Sequence, residues 1–268
     1  MKKQIINYQI KLNEIKKIAL NGIERAIKFS RFVVTSSSSL GAFNNFKDET
    51  IVQLSVTPDL RPENFKAWYD EYQNWVFCNS INEIIESFYV FLEFIVVAIQ
   101  LKDKEFAIKA GDDLDKIIRT KVYKVREDFK FYNKIKKFFD EKHLNIILDK
   151  EHTIIRSFSG VRNITTHNRG FINERKELII KNGEVVLEWY RPEFFIKLDS
   201  GEEIDISTKD RSKDGYICLR PKGIKKKRFK IDSQMQFDFL EVREIGWTFK
   251  LIVDSVYKKA KDVLLTSA

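Results

Sequence analysis

Ser157-Phe158-Ser159-Gly160-Val161-Arg162-Asn163-Ile164-Thr165-Thr166-His167-Asn168-Arg169-Gly170 is the stretch on which the reading turns. On a helix, Ile154, Phe158, Val161, Thr165 and Ile172 share one stripe, the face that meets a core. At about 100° per residue, Asn163, His167 and Gly170 fall opposite it, flanked by Gly160 and Thr166. Arg162 lies at the edge of that outer face, with Arg169 two turns along. A helix from about Lys150 to Asn173 therefore has an apolar side and a side carrying a histidine, an asparagine, arginines and small residues. Gly160, Thr166 and Gly170 give room for a second helix, and a second copy of the chain is the expected occupant.

The whole chain has 268 residues, of which 43% are hydrophobic, with 22 Phe, 9 Tyr and 4 Trp. That supports a sizeable core in one large domain or a domain with an insertion. Only 4 Pro and 10 Gly argue against a loop-rich chain, and a net charge of +9 favours an anionic partner, nucleic acid foremost. Cys78 and Cys218 stand far apart and match no metal spacing, so neither a metal nor another cofactor is expected. The N-terminal residues lack the continuous apolar run of a signal peptide, no segment is long enough to span a bilayer, and the cysteine usage suits the cytoplasm.

Outward from the central stretch, the chain reads as mainly α. Helical spacing runs over residues 3 to about 30, followed by a Ser-rich loop at 35–41 and an extended piece at 50–57. The longest pattern spans Glu63 to about Leu101. Phe65, Trp68, Tyr69, Tyr72, Trp75 and Val76 form its first stripe, and Ile84, Ile85, Phe88, Leu92, Ile95 and Ile99 continue it. Asn79-Ser80 marks an expected kink or break. Glu93, inside an apolar run, is a buried acid that either lines the site or bonds a neighbouring helix. A charged segment at 103–120 precedes a basic helix from Val122 to about Asp149.

Asn182-Gly183 between two strand-like runs signals a hairpin, and short strands are expected at 194–198, 204–207, 216–219 and 228–231. Residues 176–232 thus form a small antiparallel β insertion, set between a helical bundle at 1–175 and a C-terminal helix at 233–268 that returns to it. The insertion carries Lys225, Lys226, Lys227 and Arg228. These cations either bind phosphates or solvate a sheet edge.

Arg162-Asn163-Ile164-Thr165-Thr166-His167 resembles the Arg-polar-x3-His signature of the HEPN superfamily, helical-bundle proteins that include metal-independent endoribonucleases of prokaryotic toxin and antiviral defence systems. The resemblance covers the helical two-thirds of the chain, and only the six-residue motif is specific. It implies a homodimer in which paired Arg162, Asn163 and His167 form a composite RNA-cleaving site, with an antitoxin or activator as partner. Arg169 and, from their charge alone and outside the minimal family fold, the 225–228 cations are the expected substrate-binding residues. Family toxins that pair with a nucleotidyltransferase antitoxin have Tyr two residues after the His; here Arg169 stands there. Some members bind without cutting, so a non-catalytic dimer holding RNA, a nucleotide or a partner protein is the other reading.

Overall fold

The computed structural model describes residues 11–36, 62–102, 132–161, 164–165, 170–172, 180–205 and 215–265, with isolated positions between 113 and 127. The Ser-rich run beyond Ser36, the extended piece at 50–57 and most of the charged segment at 103–120 lie outside the described residues.

The protein is mainly helical, with a small antiparallel sheet. Five helices are described: α1 (Leu12–Ser36), α2 (Pro62–Lys102), α3 (Tyr132–Glu141), α4 (Asp149–Ser159) and α5 (Phe239–Leu265). The strands are β1 (Ile180–Lys181), β2 (Glu184–Lys197), β3 (Glu203–Asp205) and β4 (Tyr216–Lys230).

Helix α1 runs past the expected end because the Thr35 and Ser36 hydroxyls donate to the Phe32 carbonyl (3.0 and 2.8 Å), sealing its last turn. It packs on α2 at Gly22, where any Cβ would overlap the Ser87 hydroxyl. Lys16–Asp254 (2.6 Å) and Lys250–Glu24 (2.8 Å) join it to α5.

Helix α2 is continuous for 41 residues, about 60 Å, without the break expected at Asn79-Ser80. Asn79 stays helical by donating from Nδ2 to the Trp75 carbonyl (2.8 Å), and Ser80 is buried. Ile84, Ile85, Phe88, Leu92, Ile95 and Ile99 are buried as their spacing predicts. Tyr72 and Trp75 are not: they are 41% and 62% exposed and stack on each other.

The basic helix stops at Glu141, short of the expected Asp149. His143 takes the left-handed conformation (φ 54°), the His143 N–H donates to Asp140 and the Leu144 N–H to Phe139 (2.9 and 2.8 Å). This is a Schellman closure with histidine in place of the usual glycine.

Strand β2 is central. β4 pairs along its whole length on one edge, while β1 and β3 pair at opposite ends of the other. Asn182 and Gly183, both at positive φ (55° and 74°), make the expected β1–β2 turn. The strand expected at 204–207 forms as the short β3, while those expected at 194–198, 216–219 and 228–231 are instead parts of two long ones. Register passes from Arg191↔Gly223 to Pro192↔Pro221, leaving Lys222 as the extra residue of a bulge, so both prolines fall at one irregularity.

Nor is the sheet a separate insertion. Val185, Leu187, Trp189 and Phe229 belong to the same buried cluster as Phe88, Phe158 and Phe249. Phe158 meets Trp189 and Phe249 edge-on or tilted, with centroids 6.4 and 5.6 Å away, and Phe249 meets Phe88 at 5.3 Å. One aromatic chain therefore ties α2, α4, α5 and β2 into a single core, and boundaries at 175 and 232 do not divide it.

On the open middle of β2, two hydroxyls replace a strand partner. Ser157 Oγ accepts the Glu188 N–H (3.0 Å), and Thr248 Oγ1 accepts the Tyr190 N–H (3.0 Å). Each hydroxyl then has its proton for its own helix, at the Ile154 or Glu244 carbonyl (2.7 and 2.9 Å).

Candidate functional site

Helix α4 leads into the motif. Glu151 begins it, its carboxylate accepting the Leu148 N–H (2.9 Å) at the first turn. Of the expected inward stripe, Ile154, Phe158 and Val161 are buried and Thr165 is half-buried; Ile164, not assigned to that stripe, is buried as well. Gly160 remains right-handed (φ −85°), and the Ile164 N–H donates to its carbonyl (3.2 Å). Arg162, Asn163, Thr166, His167 and Arg169 lie outside the described residues.

The positions around them are fixed from two sides. Thr165 Oγ1 contacts Asn82 Oδ1 on α2 (2.6 Å) and the Val161 carbonyl (2.9 Å). Beyond the motif, Gly170 turns at φ 84°, and its carbonyl accepts the Met235 N–H (2.8 Å). The Ile172 N–H then donates to Ser233, and its carbonyl accepts from Asp232 (3.0 and 2.8 Å). Residues 170–172 thus form a short antiparallel seam with 232–235, not the last turn of a helix reaching Asn173. This corrects the C-terminal boundary of the helix. Gly160 and Gly170 are both buried within the chain and do not present a small-residue surface to a second copy.

Glu93 is buried on α2. It stands three turns, about 16 Å, along the axis from Asn82, where Thr165 docks.

The basic run on β4 is held by the chain's own acids. Alternation sends Lys225 and Lys227 toward Glu244 and Glu241 on α5 (3.0 and 2.6 Å), and Lys226 and Arg228 toward Glu188 and Glu184 on β2 (2.9 and 3.3 Å). Glu241, Glu244 and Glu188 are buried, and Glu244 also accepts the indole N–H of buried Trp189 (2.9 Å). The cluster expected to meet phosphates is therefore locally neutralised, and it fastens β4 to its neighbours.

A second histidine escaped the sequence reading. His152 Nδ1 lies 2.9 Å from the Tyr132 hydroxyl, with the rings stacked, and Tyr132 stacks in turn on Tyr89. Burial pushes the Tyr132 hydroxyl up, so it stays protonated, and the imidazole tautomer decides which of the two partners donates. Burial, then the charges of Lys136 and Arg156, hold the His152 pKa below the ordinary histidine value, against the opposing pull of Asp140 and Asp149. The unfolded chain takes up that proton first. Stability is therefore full above about pH 6.5 and declines as pH falls below it. We expect the melting temperature to drop between pH 7 and pH 5.5 in the native chain, and the slope to flatten in His152→Asn. Equal slopes would show that His152 does not report this burial.

Among the described residues no group of His, Cys, Asp or Glu could hold a metal ion, and no described helix is long and apolar enough to cross a membrane. No family model matches the chain, nor does any curated protein or solved structure.

Proposed function

We propose that the chain is a metal-independent endoribonuclease of HEPN type with a toxin or defence role, acting as a homodimer. The observation that carries this is Arg162-Asn163-x3-His167 in a basic, mainly helical chain, between flanks anchored to α2 at Asn82 and to the 232–235 seam. In this reaction the 2′-oxygen bonds to phosphorus as its proton passes to one imidazole. The P–O5′ bond breaks, and the 5′-oxygen takes a proton from a second imidazole, leaving a 2′,3′-cyclic phosphate. An imidazole can serve either step, and His167 is the motif's imidazole. Arg162 keeps its charge and can offer two donors to the phosphate oxygens. Asn163, four residues before His167 in the sequence, is assigned to orient the ring. One motif supplies a single proton shuttle, so a composite site with a second copy's His167 supplies the other.

A second reading, a non-catalytic dimer that holds RNA, a nucleotide or a protein, gains from the internal pairing of Lys225–Arg228, which removes the most obvious phosphate-binding cluster. Incubation with mixed cellular RNA in EDTA separates the two. The nuclease reading expects cleavage by the native chain and a loss of roughly 10²-fold or more in Arg162→Ala. RNA binding without cleavage by the native chain supports the second reading.

A further inference from the structure

Between α2 and the segment leading into α5 lies a groove of about 500 Å³. Asn74 builds it by acting as a strand partner would: Nδ2 donates to the Met235 carbonyl (2.9 Å), and Oδ1 accepts the Phe237 N–H (3.3 Å). Phe77 and Phe237, both nearly buried, lie along its apolar floor. The same segment is bonded to the end of the motif, through Met235 N–H to the Gly170 carbonyl. The groove is thus one backbone hydrogen bond from Gly170, three residues beyond His167 in the sequence.

Its rim is rich in acceptors. Asp70 and Glu71 are exposed carboxylates that make no ion pair among the described residues. Gln73 gives Nε2 to the Tyr69 hydroxyl (3.0 Å), which leaves its Oε1 as an acceptor. Gln236, exposed, supplies a carboxamide donor. Two carboxylates repel a phosphate, so the backbone of a nucleic acid does not enter here. A flat heterocycle with adjacent N–H groups suits the site. Guanine alone among the RNA bases places two neighbouring donors, N1–H and N2–H, beside an acceptor, O6. A carboxylate accepts the pair and a carboxamide N–H meets O6.

We propose that this groove binds a guanine base of single-stranded RNA next to the motif. The inference rests on the RNA reading above and adds the base it selects. The test uses 2′-O-methyl tetranucleotides, which lack the attacking hydroxyl and report binding whether or not the chain cuts RNA. At fixed salt, the guanine tetramer binds about 10-fold or more tightly than those of adenine, cytosine or uracil. Inosine, lacking the N2 amine, falls between. Asp70→Asn with Glu71→Gln removes the preference and leaves the melting temperature unchanged, because both side chains are exposed. Equal binding of all four tetramers, binding of none, or a preference that survives the double substitution overturns the proposal. Native cleavage without guanine preference sinks the groove and spares the nuclease. Guanine binding without cleavage does the reverse.

Discussion

Phe158→Ala is expected to destabilise the protein by about 3–5 kcal/mol, the largest effect of any single substitution argued for this fold. The ring has no exposed surface and sits where four elements converge, between Trp189 of β2 and Phe249 of α5, with Phe88 of α2 one ring further on. Truncation opens a cavity that rigid helices on three sides cannot collapse, and it forfeits two aromatic contacts besides the transfer term. Urea unfolding reads the effect as a lowered midpoint with an unchanged slope. Phe158→Leu, which conserves most of the volume, should lose much less. A cost below about 1 kcal/mol for the alanine variant would mean that the aromatic chain does not join the sheet to the bundle.

Ser157→Ala and Thr248→Val should each cost about 1–3 kcal/mol, far above an ordinary loss of a hydroxyl. Each removes the side-chain acceptor of a backbone N–H on the open middle of β2, at Glu188 and Tyr190. The new side chains fit the space, so the cost arises from the orphaned amide rather than from volume. Amide hydrogen exchange localises it: Glu188 should exchange faster in the first variant and Tyr190 in the second, each ahead of the neighbouring amides. Uniform changes along β2 would place the effect in global stability instead.

The sequence carried the fold where local periodicity decides the outcome. The buried stripe from Ile84 to Ile99 and the Asn182-Gly183 turn follow from spacing and turn chemistry alone. It misled where a distant partner decides. His143 closes α3 in a conformation that sequence patterns assign to glycine. The strands expected as separate short pieces run on through Pro192 and Pro221, which face each other across one bulge and interrupt neither strand. The Lys225–Arg228 run reads as free positive charge because its counter-ions, Glu241 and Glu244, stand on a helix that follows it, and Glu184 and Glu188 on a strand that precedes it. Gly170 projected outward only on a helix that reaches it, whereas the chain turns there at positive φ, and Gly160 is buried by packing that the helical projection does not contain. The inward stripe leading into the motif was legible at Ile154, Phe158 and Val161 because these apolar side chains keep one period. The Tyr132–His152 contact was not, because no pattern links residues on two different helices.

The central claim is that His167 moves protons in the cleavage of RNA, and the ends of the product test it most directly. Purified native protein, incubated with RNA in EDTA, should leave 2′,3′-cyclic phosphate ends. His167→Ala should reduce their formation by about 10²–10⁴-fold, with the melting temperature and elution volume of the native protein retained. Undiminished cyclic ends in His167→Ala, or cleavage by the native protein only when a metal is supplied, would contradict the account.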